Sequence, residues 1–123
     1  MNKVVMIRQG HWGHTKEGEY DALIEIMKRN LIAAQVEVEI AQTLNDVQNT
    51  LKQGEVSTLV FISRGMLQEA RKLKDSYPDV RVVVFTSLLP EPGEYPFALD
   101  DLVIADKGKM LRPNQLLETI FSA

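Results

Sequence analysis

The sequence predicts an α/β domain of three layers, with a five-stranded parallel sheet between two layers of helices. Three observations predict it. Short apolar runs and amphipathic helical patterns alternate five times along 123 residues. Four of the five runs are wholly apolar, as strands buried on both faces are. Alternation of strand and helix implies parallel pairing through right-handed crossovers.

The elements follow in order. Residues 4–7, Val-Val-Met-Ile, make the first strand, and the loop Gln9-Gly10-His11-Trp12-Gly13-His14-Thr15 follows it. From residue 19 to about 33, Tyr20, Leu23, Ile24, Met27 and Leu31 recur at the spacing of one helix face. Val36, Val38 and Ile40 alternate with Glu37 and Glu39, a strand with one face wet. Residues 43–53 place Leu44, Val47 and Leu51 on one side of a helix that Gly54 stops. Residues 59–62 are a third strand. A helix carrying Leu67, Ala70, Leu73 and Tyr77 follows and ends at Pro78. Residues 82–85 and 102–105 are the last two strands. Pro113 opens a final helix with Leu116, Leu117, Ile120 and Phe121.

Strand chemistry predicts the order. The first, third and fourth runs want the interior of the sheet and the alternating second run suits an edge, which gives 2-1-3-4-5, the flavodoxin-like order. Residues 88–101 stand where a fourth crossover helix belongs, but they contain Pro90, Pro92, Pro96 and Gly93. A proline inside a helix costs about 3 kcal/mol, so an irregular flap is expected, with at most one turn near residues 97–100. With no repeat, linker or low-complexity stretch, residues 1–123 read as one domain.

Composition narrows the function classes. Hydrophobic content of 45% and charged content of 25% are ordinary for a globular chain. The absence of cysteine excludes disulfides, thiolate metal sites and a cysteine nucleophile. Net charge is −3 and pI about 5.4, which lacks the basic footprint of a nucleic-acid binder. The opening apolar run is too short for a signal peptide, and no stretch approaches the roughly 20 apolar residues of a membrane span. The expected setting is the cytoplasm, without membrane or nucleic acid.

In open parallel sheets, ligands bind beyond the carboxyl ends of the strands, where the strand order reverses. Arg8, Gln9, His11 and His14 arrive there after the first strand, Ser63 and Arg64 after the third, Thr86 and Ser87 after the fourth, and Asp106 and Lys107 after the fifth. Convergence of Arg8, Arg64 and Lys107, aided by a helix beginning near Gly65, would make a pocket for a small anion. Alternatively, these side chains fan into solvent or pair with Asp100, Asp101 and Asp106.

Val82-Val83-Val84-Phe85-Thr86-Ser87, Ala105-Asp106-Lys107-Gly108 and Arg112-Pro113-Asn114-Gln115-Leu116-Leu117 resemble the last two strands and last helix of response-regulator receiver domains. The resemblance spans nearly the whole chain. It implies that Thr86 is the switch hydroxyl and Lys107 the rim lysine. The receiver's acidic pair after the first strand is here Arg8 and Gln9, its phospho-accepting aspartate is Ser63, and the loop after the third strand is short. Without those carboxylates there is neither a Mg²⁺ cage nor an aspartyl nucleophile, so the resemblance implies a pseudo-receiver.

Trp12-Gly13-His14-Thr15-Lys16-Glu17-Gly18, with Gln42-Thr43 and Ser63, is also similar to the Asp-x-His-x-x-Gly region of cobalamin-binding domains, which would make His14 a cobalt ligand. In this chain Trp12 replaces the aspartate that orients the histidine, and Thr86-Ser87 replaces a glycine pair. His11 and His14 have no third ligand near in sequence for zinc. No Gly-x-Ser-x-Gly or Gly-x-Gly-x-x-Gly motif occurs.

The expected function is a non-catalytic, receiver-like signalling or interaction domain without a bound cofactor, acting through a protein partner or self-association. The edge strand at residues 36–40, the flap with Tyr95 and Phe97, and the last helix are its candidate surfaces; the flap aromatics are equally candidates for core plugs. The alternative is a small-ligand domain holding an anion, a nucleotide or a cobalamin-type cofactor at Arg8, Gln9, His14, Ser63, Arg64, Thr86, Ser87 and Lys107. An enzyme using His11 or His14 as acid or base is a third reading.

Overall fold

Runs of β-branched and aromatic residues form the strands, whose pleated surface such side chains pack well. In the computed structural model, which describes residues 3–7, 17–62 and 64–121 (side chains 3–7, 22–62 and 65–121), the strands are β1 (Lys3–Ile7), β2 (Glu37–Ala41), β3 (Val56–Phe61), β4 (Arg81–Thr86) and β5 (Val103–Asp106). The helices are α1 (Glu17–Ala33), α2 (Leu44–Lys52), α3 (Leu67–Ser76) and α4 (Pro113–Phe121). All strand pairs are parallel, in the predicted order β2-β1-β3-β4-β5.

Because side chains alternate along a strand, each interior strand feeds two cores. Val4, Met6, Val60, Val83, Phe85 and Ala105 pack with Ile24, Met27 and Leu31 of α1 and Leu116 and Ile120 of α4. Val5, Ile7, Leu59, Phe61, Val82 and Val84 pack with Val47 and Leu51 of α2 and Leu67, Ala70 and Leu73 of α3. Every residue of β1 is buried, as a central strand covered on both faces demands.

The caps explain the helix ends. Thr43 is extended and its hydroxyl accepts from Asp46 N (3.2 Å), starting α2. Gly54, at φ 77°, turns the chain out of that helix. At the end of α1 the same left-handed position is filled by Gln35 at φ 63°. There Gln35 N donates to Ile32 O (2.9 Å) and Val36 N to Leu31 O (3.0 Å), the paired bonds of a Schellman turn.

Four expectations need correction or refinement. The wet face of β2 is partly roofed, because Thr50 of α2 donates to Glu39 (2.7 Å) and Lys3 Nζ lies 3.4 Å from the same carboxylate. A short 3₁₀ turn, Arg64–Met66, intervenes after β3, so the helix begins at Leu67 instead of Gly65. Another, Lys107–Leu111, follows β5. Phe121, grouped with Leu116, Leu117 and Ile120 on the last helix, is 39% exposed, because the buried stripe of α4 runs through Leu116 and Ile120.

Between β4 and β5 the chain forms no helix, as its prolines predict. It crosses as an irregular strap with Gly93 at φ 79° and turns closed by Glu94 N to Glu91 O (3.0 Å) and Leu102 N to Leu99 O (3.1 Å). Tyr95, Phe97 and Leu99 point inward onto the cluster under α2 and α3, with the two rings 5.4 Å apart. These aromatics plug the core in place of the missing helix.

Candidate functional site

The strands of a parallel sheet all deliver their carboxyl ends to one rim. Of the eight residues predicted to meet there, Arg8, Gln9, His14 and Ser63 lie outside the described residues, and Arg64 is described in backbone only, opening the 3₁₀ turn after β3. His11 also lies outside. Thr86, Ser87 and Lys107 are described in full, and the structure brings them together: Thr86 ends β4 and pairs in register with Asp106, which ends β5 beside Lys107. Ser87 is exposed and Lys107 half-buried.

Thr86 and Asp106 serve their own loops. Thr86 is 1% exposed. Its hydroxyl donates to Leu88 O (2.9 Å) and accepts from Leu88 N (3.2 Å), so it closes its own turn. Asp106 Oδ1 accepts from Gly108 N (2.7 Å) and caps the turn that Lys107 begins. The fit explains Gly108, where an added Cβ would sit 3.0 Å from Asp106 Oδ1. Asp101, a suggested partner for the rim cations, pairs instead with Arg71. The N-cap of α3 is Met66, which is buried and makes no side-chain cap bond.

Among the described residues, a dense electrostatic cluster lies on the flank, and the sequence reading missed it. Arg71, with a side chain 12% exposed, donates Nη1 to Ala98 O (2.9 Å) and to Asp101 Oδ1, and Nη2 to Asp101 Oδ2 (2.7 Å) and Asp75 Oδ1 (2.7 Å). The hydrogen bond from Arg71 holds the Asp101 carboxyl below its ordinary range, against some desolvation, with help from the Arg71 charge and Lys74. In turn, the bond to Asp101 raises the Arg71 guanidinium further above its usual value. Only the Arg71–Asp75 spacing of four residues was visible in sequence.

A second flank feature is a cavity of about 330 Å³ beside β5, lined by Arg81, Lys109, Gln115, Glu118 and Thr119. Arg81 does not face outward there. Its Nε and Nη2 donate to Thr119 O (3.2 and 3.0 Å). Among the described residues, no group of three or more His, Asp or Glu is placed to hold a metal, and no helix is long and apolar enough to cross a membrane.

No protein-family model matches the chain, and no curated protein matches it in sequence. Among solved structures it is similar to HP1043, an orphan response regulator of H. pylori, with 13% identity and a TM-score of 0.61 over 95% of this chain and 96% of that one. At that identity the likeness concerns the fold, and it agrees with the strand order: the chain has a receiver-like, flavodoxin-like α/β fold.

Proposed function

We propose that the chain is a receiver-like signalling or interaction domain that acts through a protein partner or by self-association, without aspartyl phosphorylation. The observation that carries this reading is the Thr86 hydroxyl. In the position that the receiver resemblance assigns to a switch hydroxyl, it is buried and bonded on both sides to Leu88. The sequence supports the same reading, since Arg8, Gln9 and Ser63 stand where receivers carry carboxylates. A rim without those groups offers no cage for a divalent cation and no nucleophile for a phosphoryl donor.

Surfaces for a partner remain. Leu88 and Leu89 stand exposed just beyond β4, and Leu111 and Phe121 stand exposed around α4. With Tyr95 and Phe97 packed inward, the strap offers these leucines in place of its aromatics. The test is incubation with acetyl phosphate or beryllofluoride, read by intact mass and by the melting temperature. No adduct and no shift are expected, while sedimentation or pull-down reports association. A stoichiometric adduct overturns the reading.

The small-ligand reading, with an anion, nucleotide or cobalamin-type cofactor at the rim, has less support, because Thr86 is already occupied by its own loop. A thermal-shift screen with phosphate, nucleotides, flavin and cobalamin separates the two, since a ligand that binds only the folded chain raises its melting temperature.

A further inference from the structure

Between α2 and α3 lies a cavity of about 300 Å³, lined by Leu44 and Gln48 of α2 and by Glu69, Lys72, Leu73 and Ser76 of α3. Side chains three and four apart share one face of a helix, which brings these residues to a single hollow. The rim residues Thr86, Ser87 and Lys107 do not line it.

Its charges lack partners. Glu69 stands in the first turn of α3, where the helix's positive end favours an anion. Yet Glu69 Oε2 is buried and accepts no hydrogen bond from the chain. Native structures leave few buried acceptors in that state, because each has given up water for nothing. Among the described residues, neither Glu69 nor Lys72 forms an ion pair, although the two stand three apart on one helix. The hollow thus offers one free carboxylate, one free ammonium and a leucine from each helix.

We propose that this cavity binds a small apolar α-amino acid. Glu69 takes the ligand's ammonium, Lys72 its carboxylate, and Leu44 and Leu73 its side chain. A zwitterion answers both charges at once, whereas an amine alone faces Lys72 and an acid alone faces Glu69. Gln48 and Ser76, both exposed, stand at the mouth with further donors and acceptors. Ligand cavities run from roughly 300 Å³ upward, so this one suits an amino acid better than a nucleotide or a cobalamin-type cofactor.

Titration calorimetry and melting curves test this with L-leucine and its two halves, isopentylamine and 4-methylpentanoate. L-Leucine should bind one to one and raise the melting temperature, and each half should bind at least tenfold more weakly. Glu69→Gln should weaken leucine binding at least tenfold, yet leave the free protein melting no lower, because an unpaired charge is gone. Lys72→Met, at an exposed position, should weaken binding at least fivefold and serves alone should Glu69→Gln fail to fold. Lys109→Met, outside the cavity, should leave binding unchanged. No binding of leucine to the wild type overturns the proposal, as does equal binding of leucine and isopentylamine. A folded Glu69→Gln protein that melts lower and binds leucine as before would show the carboxylate held within the chain, and overturns it too.

Discussion

Arg81 and Thr119 join opposite ends of the chain's second half: the first residue of β4 donates twice, at 3.2 and 3.0 Å, to a carbonyl in the last turn of α4. The carbonyls of a helix's last turn have no partner within the helix and carry its negative end. A guanidinium there satisfies one of them and meets a favourable field. The contact fixes the C-terminal end of α4 at the amino edge of the sheet, which places Leu116 and Ile120 over Val83 and Phe85.

Arg81→Met keeps the aliphatic stem and removes the bonds. It should cost about 1.5–3 kcal/mol, the usual range for a hydrogen bond to a charged group. Urea unfolding measures it. A loss well under half of that range would mean that apolar packing alone seats α4.

Gln35 sits at φ 63°, where a side chain is strained and glycine is not. The corresponding position after α2 is already Gly54. Gln35→Gly should therefore stabilise the chain by about 0.5–1 kcal/mol, the relief of strain exceeding the extra freedom glycine gives the unfolded state. Gly54→Ala should destabilise it, although nothing lies within 4 Å of an added Cβ, because the strain is in the backbone. Thermal unfolding of the two variants should give shifts of opposite sign.

The features legible in sequence were those written in local periodicity. The strand order followed from which runs were apolar throughout, and α2 from Thr43, Leu44, Val47, Leu51 and Gly54. The strap followed from three prolines. What periodicity does not encode was missed. Arg71 meets Ala98 and Asp101 across some thirty residues of chain through a segment with no repeat of its own. Phe121 follows Ile120 directly, and the buried stripe through Leu116 and Ile120 leaves its side chain at the edge, 39% exposed. Of the rim, the described part is the pair of adjacent strand ends, with Thr86 in register with Asp106 beside Lys107. The direction of the Thr86 hydroxyl was not legible in sequence, because a serine- or threonine-closed turn depends on the path of the following loop.

The Arg71–Asp101 pair has a pH signature. Its hydrogen bond holds the Asp101 carboxyl below the ordinary range, so the folded state binds this proton less readily than the unfolded chain. The contribution to stability is complete above the unfolded value of about 3.9 and is lost as pH falls through the depressed folded value. Wild type and Asp101→Asn should thus differ by a constant few degrees in melting temperature from pH 7 to 5. The gap should narrow below pH 4 and close at the acid end. A gap that persists or widens in acid would show that the carboxylate charge is irrelevant there.

Thr86 offers the sharpest separation between a rim that binds an anion and one that does not. Its hydroxyl is shared between Leu88 O and Leu88 N. Thr86→Val keeps the shape and removes a buried hydroxyl together with its two hydrogen bonds to Leu88, which should cost the free protein about 1–2 kcal/mol. Thr86→Ser should recover most of that loss. If the hydroxyl instead served a ligand, the free protein would hardly notice the valine, and the stabilisation given by phosphate would shrink. Melting curves of the three proteins with and without phosphate distinguish these outcomes. A closed turn predicts that the valine lowers both curves equally, because the group it removes faces the loop in either state.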